Sequence, residues 1–332
     1  MKKQLLIAAV AATMTSVAFA DISISGSANV KMNAAELSTG GTTEGSSMNM
    51  DIDIAGKSGN TSVYAHIDID DAGTVGTNNN TGSVVVDKLW MQTSIGSVNV
   101  KAGDYSSCVG SIEAVKACST TNNKIGLSTN VGDFKVGYTK DMNDSSAADT
   151  IGLSGTVAGL AFNVKDSEDT YTNISVKGDL PVGTGTGFYL ENHNADAADS
   201  DTTVFAAHTV VSGTTVSYAS LDADATGAAT NDGDVRLLGS SLIGDYHTAA
   251  FATTATMTDV QAFGANFDMA GNNVNIVVGS ADTTAANDLD FTDIVIQRKL
   301  ASGATLDVSY GVADTSATVD TTNYGAILNV KF

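Results

Sequence analysis

The stretch Asn323-Tyr324-Gly325-Ala326-Ile327-Leu328-Asn329-Val330-Lys331-Phe332 decides the fold class. At period two, Tyr324, Ala326, Leu328, Val330 and Phe332 share one face, while Gly325, Asn329 and Lys331 share the other. Ile327 is the one misfit. A strand with an apolar face, a polar face and a terminal aromatic reads as a membrane-spanning barrel strand, one side toward lipid and the other toward a lumen.

The opposite end agrees. Lys2 and Lys3 precede an apolar stretch from Leu5 to Ala12, and Ala18-Phe19-Ala20 supplies small residues for cleavage. Residues 1–20 are therefore expected to be a signal peptide, with residues 21–332 forming a single barrel domain. No later stretch approaches the roughly eighteen consecutive apolar residues that a transmembrane helix needs, so any insertion uses strands.

Composition narrows the function classes. The leader holds two of the 16 basic residues and none of the 37 acidic ones, leaving the mature chain at about −23. Arg236 and Arg298 are the only arginines, so a clustered basic surface for nucleic acid is not available. Aspartate dominates the acids, and it favours turns and loops over regular elements. Scarce proline and recurring alternate apolar residues argue against disorder.

Along the chain a short Gly-containing turn is followed by an alternating run and then by a polar stretch. Turns fall at Gly56 to Asn60, Gly96-Ser97, Gly132-Asp133, Ala158-Gly159, Pro181 to Gly185, Ser212-Gly213, Gly244-Asp245, Ala270 to Asn272 and Ser302-Gly303. Longer, acidic connections run from Asp141 to Asp149, Asn194 to Asp201, Asp222 to Asp234, Asp282 to Asp290 and Asp314 to Asp320. Short and long connections alternate, as on the two sides of an outer-membrane barrel. Nine short turns give about twenty strands, and merging of doubtful segments such as 245–257 brings the range down to sixteen. Phe134, Phe162, Phe188, Tyr246 and Phe332 are placed as an interfacial aromatic girdle.

The stretch Asp87-Lys88-Leu89-Trp90-Met91-Gln92-Thr93-Ser94-Ile95-Gly96-Ser97-Val98-Asn99-Val100-Lys101-Ala102-Gly103-Asp104 resembles a hairpin of the general porins of Gram-negative outer membranes. Asn323, Gly325, Leu328, Val330 and Phe332 resemble that family's barrel-assembly signal. The resemblance implies a sixteen-stranded, usually trimeric barrel that passes small hydrophilic solutes by passive diffusion, with no catalytic residues. It also implies an inner constriction loop after the fifth strand, matched here by Tyr105 to Asn123. The implied partners are outer-membrane lipid and lipopolysaccharide, the barrel-assembly machinery and two further copies of the chain. Asp104 departs from the family, which often has a basic residue there.

Alternation nominates the lumen residues. Ser23, Ser25, Ser27, Asn29 and Lys31 face inward on the first strand, and Asn49, Asp51, Asp53, Tyr64, His66, Asp68 and Asp70 on the next two. Lys88, Lys101, Lys135 and Arg236 follow, with Lys116 as a further constriction candidate. Asp104 and Glu113 are the expected acids of the inner loop, opposing these lysines to set up a transverse field. The acidic lumen candidates lean the channel toward cations.

Cys108 and Cys118 are the only cysteines and are expected to pair within the inner loop. A metal site is not expected there, and the four histidines show no paired spacing for one. Weak Ca2+ binding by the Asp-rich loops is the one ion interaction considered, although Asp222-x-Asp224-x-Thr226-Gly227 places Gly233 where a bidentate Glu is required. Gly56-Lys57-Ser58 lacks the leading Gly of a phosphate loop, and no Gly-x-Ser-x-Gly elbow is present. The alternative class is a secreted or surface-layer adhesin built as a β-solenoid or sandwich.

Overall fold

The computed structural model describes residues 21–73, 83–107, 119–143, 148–181, 185–196, 201–224, 257–283, 288–315 and 320–332. Eighteen strands run through them: β1 Asp21–Leu37, β2 Thr42–Ser58, β3 Thr61–Gly73, β4 Ser83–Ile95, β5 Val98–Ser107, β6 Ser119–Val131, β7 Phe134–Asp141, β8 Thr150–Val157 and β9 Leu160–Ser167. The second half comprises β10 Tyr171–Asp179, β11 Gly187–Ala195, β12 Thr202–Val211, β13 Thr214–Ala223, β14 Met257–Met269, β15 Asn272–Thr283, β16 Asp288–Lys299, β17 Thr305–Thr315 and β18 Thr321–Lys331. Every strand pairs antiparallel with its sequence neighbours, and β1 pairs with β18, so the sheet closes on itself. Closure satisfies each strand edge, the condition for crossing hydrocarbon with strands. This is the fold of a transmembrane β-barrel, and neither a solenoid nor a sandwich.

Eight of the nine expected short turns join consecutive strands, and the ninth, Gly244-Asp245, lies outside the described residues together with Tyr246. Eight hairpins plus β1 and β18 give eighteen strands, within the range that the turns allow and two more than the family resemblance implies. The tightest turns explain their residues: Ala158 and Gly159 both have positive φ (51° and 84°), as a two-residue type I′ turn demands.

Outside, the barrel is apolar. Ile22, Ile24, Met32, Met91, Ile151 and Phe263 are all exposed on the outward face, where a water-soluble protein would bury them. Phe134 and Phe162 pack 5.6 Å apart on this face beside the short turns, and Phe332 is exposed at the seam. The seam extends one residue beyond β18: Gly26 N–H donates to Phe332 O at 2.8 Å, and Phe332 N–H donates to Gly26 O at 3.0 Å. Tyr324, Leu328, Val330 and Phe332 are exposed as the period-two reading requires, and Ile327 turns inward, buried opposite Lys31 and Asp307.

Inside, three sectors differ. From β1 to β5 the inner face carries part-exposed Ser, Asn, Asp, His and Lys side chains. From β6 to β11 it carries buried polar groups, among them Lys124, Lys165, Asn173 and Glu191. From β11 to β17 it is buried, with Tyr189, Val204, Ala219, Val260, Val277 and Phe291 in one apolar cluster beside buried Thr202, Asn275, Asp293, Asp307 and Ser309.

The constriction-loop expectation narrows. β5 continues through Ser107 and β6 starts at Ser119, with Tyr105 opposite Asn122 and Ser107 opposite Ser119. The connection after the fifth strand is thus residues 108–118 rather than 105–123, and it lies outside the described residues.

Candidate lumen site

The part-exposed sector is organised by the β2–β3 hairpin. Its two-residue turn sets Asp51 opposite Asp68, Asp53 opposite His66 and Ala55 opposite Tyr64. Because strand side chains alternate, these residues share the inward face with Ser27 on β1, which lies opposite Asp51. His66 Nδ1 is 2.8 Å from Asp53 Oδ1, and its Nε2 is 3.2 Å from Asp68 Oδ1 and 3.8 Å from Asp51 Oδ1. Tyr64 donates a hydrogen bond to Asp53 from the other side. Ser27 Oγ donates to Asp51 Oδ2 at 2.9 Å. Three carboxylates therefore surround one imidazole, with Asp53 held by Tyr64 and Asp51 by Ser27.

The next two strands carry the opposite charge. Lys88 on β4 faces His66, and one residue is skipped in the register there, leaving Asp87 beside it with its Oδ2 3.5 Å from Lys88 Nζ. Trp90 stacks on Tyr64 with ring centroids 5.2 Å apart. Lys101 on β5 places Nζ 4.0 Å from the Trp90 centroid and 4.3 Å from that of Tyr105. Such contacts hold a cation without neutralising it. Gly103 makes this packing possible: its φ is +124°, and a Cβ there would lie 2.2 Å from the Leu89 carbonyl oxygen.

Most of the sequence candidates fall on this inner face. Lys31, Asp51, Asp53, His66, Asp68, Lys88, Lys101 and Lys135 all point inward by register. Asp104 does not: it lies opposite Leu89 and Asn123, on the face away from Lys101 and Tyr105. The acids opposing the lysines come from β2 and β3, not from Asp104. Glu113, Lys116, Arg236, Cys108 and Cys118 lie outside the described residues.

Sequence reasoning missed three inward lysines. Lys124, Lys165 and Lys177 continue the series from Lys88 and Lys101 across β6, β9 and β10, opposite Gly103, Asn173 and Tyr189 respectively. Their signal was available in Lys124-Ile125-Gly126-Leu127-Ser128, where alternation separates the lysine from the lipid-facing residues. An acidic β2–β3 wall beside a basic run from β4 to β10 creates a field across the lumen. Beyond the strands, Asp149 accepts from Lys140 Nζ at 2.8 Å and from Tyr138 Oη at 2.6 Å. These bonds, that from Lys140 foremost, hold its carboxyl below the ordinary aspartate range.

No protein-family model matches the chain, and no curated protein matches it in sequence. Solved structures do match in shape. OpdL of Pseudomonas aeruginosa aligns with a TM-score of 0.66 at 10% identity, over 94% of this chain and 99% of that one. OpdQ of the same organism gives 0.64 at 12% identity, over 94% and 99%. Its OpdK, solved with vanillate, gives 0.62 at 11% identity, over 93% and 98%. What this chain has in common with these proteins, over nearly its whole length, is the closed antiparallel barrel.

Proposed function

We propose that the chain is an outer-membrane porin whose lumen passes small hydrophilic solutes by passive diffusion, with a preference for cations. The observation that carries this reading is the reversal of sides: apolar residues cover the outside of a closed barrel, while charged and polar residues line the inside of β1 to β5. Sharing a barrel with Pseudomonas outer-membrane porins supports it. The preference for cations rests on the grouping of Asp51, Asp53 and Asp68 on β2 and β3, each part-exposed to the lumen. Lys124 and Lys165 are buried, Lys88 is paired with Asp87, and the exposed Lys135 and Lys177 stand on β7 and β10, away from this wall. An ion moving along this wall meets the carboxylates at closer range.

OpdK was solved with vanillate, an anion. The acidic wall of this chain favours solutes of the opposite sign. Export through a cleaved leader ending at Ala20, assembly through the C-terminal strand and a homotrimer in a lipopolysaccharide-bearing membrane belong to the same proposal. Purified protein in planar bilayers, under a tenfold KCl gradient, tests it. Stepwise ohmic openings with a cation-selective reversal potential are expected, and steps in threes accompany a trimer. Folded, heat-modifiable protein that carries no current would overturn the channel reading.

A further inference from the structure

We propose that His66, Asp51 and Asp68 form a binding site for a divalent transition-metal ion such as Zn2+ on the inner wall of β2 and β3. Their ligand atoms lie within 4.8 Å of one another, the one such grouping found among the described residues. A carboxylate pair alone would be an ordinary acidic patch; the imidazole and the way it is held distinguish this one.

Asp53 has no proton to give at neutral pH, so its contact with Nδ1 at 2.8 Å requires Nδ1 to carry the hydrogen. In the neutral ring Nε2 then presents a lone pair, and that lone pair faces two carboxylate oxygens at 3.2 and 3.8 Å. One imidazole nitrogen and two carboxylate oxygens thus converge on a single point of the inner wall, which is the donor set a metal ion uses. With bonds of about 2.1 Å, a tetrahedral ion separates its ligand atoms by about 3.4 Å, between the two distances observed.

The supporting contacts are those that metal-binding histidines use. Asp53 behind Nδ1 fixes the ring orientation and tautomer and raises the basicity of Nε2, and Tyr64 steadies Asp53 in turn. Ser27 occupies Asp51 Oδ2, leaving Oδ1 on the side of His66. One nitrogen and two carboxylates suit Zn2+ or Cu2+ better than Ca2+, which takes six to eight oxygens. Water completes the coordination from the lumen. Lys88 is the charged group facing His66 from β4, and its Nζ lies 3.5 Å from Asp87 Oδ2 on the same strand.

The site stands on local geometry and does not require that the barrel conduct. Its test is calorimetric titration of the folded, detergent-solubilised protein with Zn2+ at pH 7.5, folding being verified for each variant by heat-modifiable migration. One site per chain is expected, weakening as pH falls because protons compete for Nε2. His66→Gln should lower the affinity at least tenfold. Asp53→Asn, which touches no metal, should lower it about tenfold to a hundredfold through the ring orientation alone. Asp68→Asn supplies an independent ligand deletion if the histidine variant does not fold. Equal Zn2+ binding by wild type and His66→Gln would assign the ion to the acidic connections and overturn the proposal, as would an absence of binding. In bilayers the same ion should block current in wild type and not in His66→Gln; current without block, in protein that binds no Zn2+, sinks the metal site and leaves the channel intact.

Discussion

Converting Asp51, Asp53 and Asp68 together to Asn removes three charges from the lumen wall while keeping side-chain shape and the donors from Ser27 and Tyr64. A hydrated cation passing a carboxylate at about 6 Å gains roughly 0.7 kcal/mol in water by Coulomb's law. A screening length of about 8 Å at physiological salt reduces this to about 0.3 kcal/mol. Three carboxylates then sum to about 1 kcal/mol, gained by a passing cation and lost by a passing anion, so the cation-to-anion permeability ratio should fall about thirtyfold. At 1 M salt the screening length drops to about 3 Å, and the effect should shrink to about threefold. Reversal potentials in KCl gradients at the two ionic strengths measure both numbers on the same preparations. A ratio that does not change, or that changes equally at both salts, would refute the assignment of selectivity to this wall. Lys88→Gln gives the opposite sign in the same assay.

Other perturbations probe the scaffold. Gly26→Ala places a Cβ 2.4 Å from the Asp51 carbonyl oxygen and 2.7 Å from the Phe332 ring at the closing seam, and should cost about 1–3 kcal/mol in urea unfolding from detergent. Gly103→Ala combines a 2.2 Å backbone clash with a φ of +124° and should cost more than Gly26→Ala; the reverse order would contradict the β4–β5 packing. Asp149, whose carboxyl titrates below its unfolded value, stabilises the fold above the ordinary aspartate range of about 3.9 and loses that contribution as pH falls through the lowered folded value. Thermal melts should therefore separate wild type from Asp149→Asn at pH 6 and bring them together only once the pH falls below the lowered folded value of the carboxyl. Ser107 and Ser119, which flank segment 108–118, are paired across β5 and β6, and non-reducing peptide mapping should recover a Cys108–Cys118 link. Such a link would be worth roughly 2–3 kcal/mol, and free thiols at both positions would refute it.

Much of the wall was legible in the sequence because a barrel strand writes its two environments at period two. β1 reads Ile22, Ile24, Val30 and Met32 outward, and the structure exposes all four. The His66 cluster was legible only in part. Asp51 and Asp53, and His66 and Asp68, visibly share faces within their own strands. Bringing them together needs the register, and the turn window Gly56 to Asn60 was too broad for that. Only a turn centred between Gly59 and Asn60 opposes Asp51 to Asp68, and shifting that centre by one residue slides the partners by two. The search for a second histidine then hid a site whose other ligands are aspartates. Asp104 was misplaced because the family resemblance put it at the mouth of an inner loop, although counting by twos from Lys101 sends it outward. Alternation also fades where both faces are apolar, as in Val274 to Val278, because Val277 packs inside while Val278 faces lipid.

That two-sided apolar stretch has a bearing on aperture. Eighteen strands set the circumference of the barrel, but most inner-face side chains of β11 to β17 are buried, an apolar cluster together with Glu191, Asn275, Asp293 and Asp307. The wetted part of the cross-section is therefore eccentric, pressed toward the wall of β1 to β5. Strand number then overestimates the bore, and the conductance of this barrel should be that of a narrower, off-centre conduit whose electrical character is set by a few strands rather than averaged around the ring.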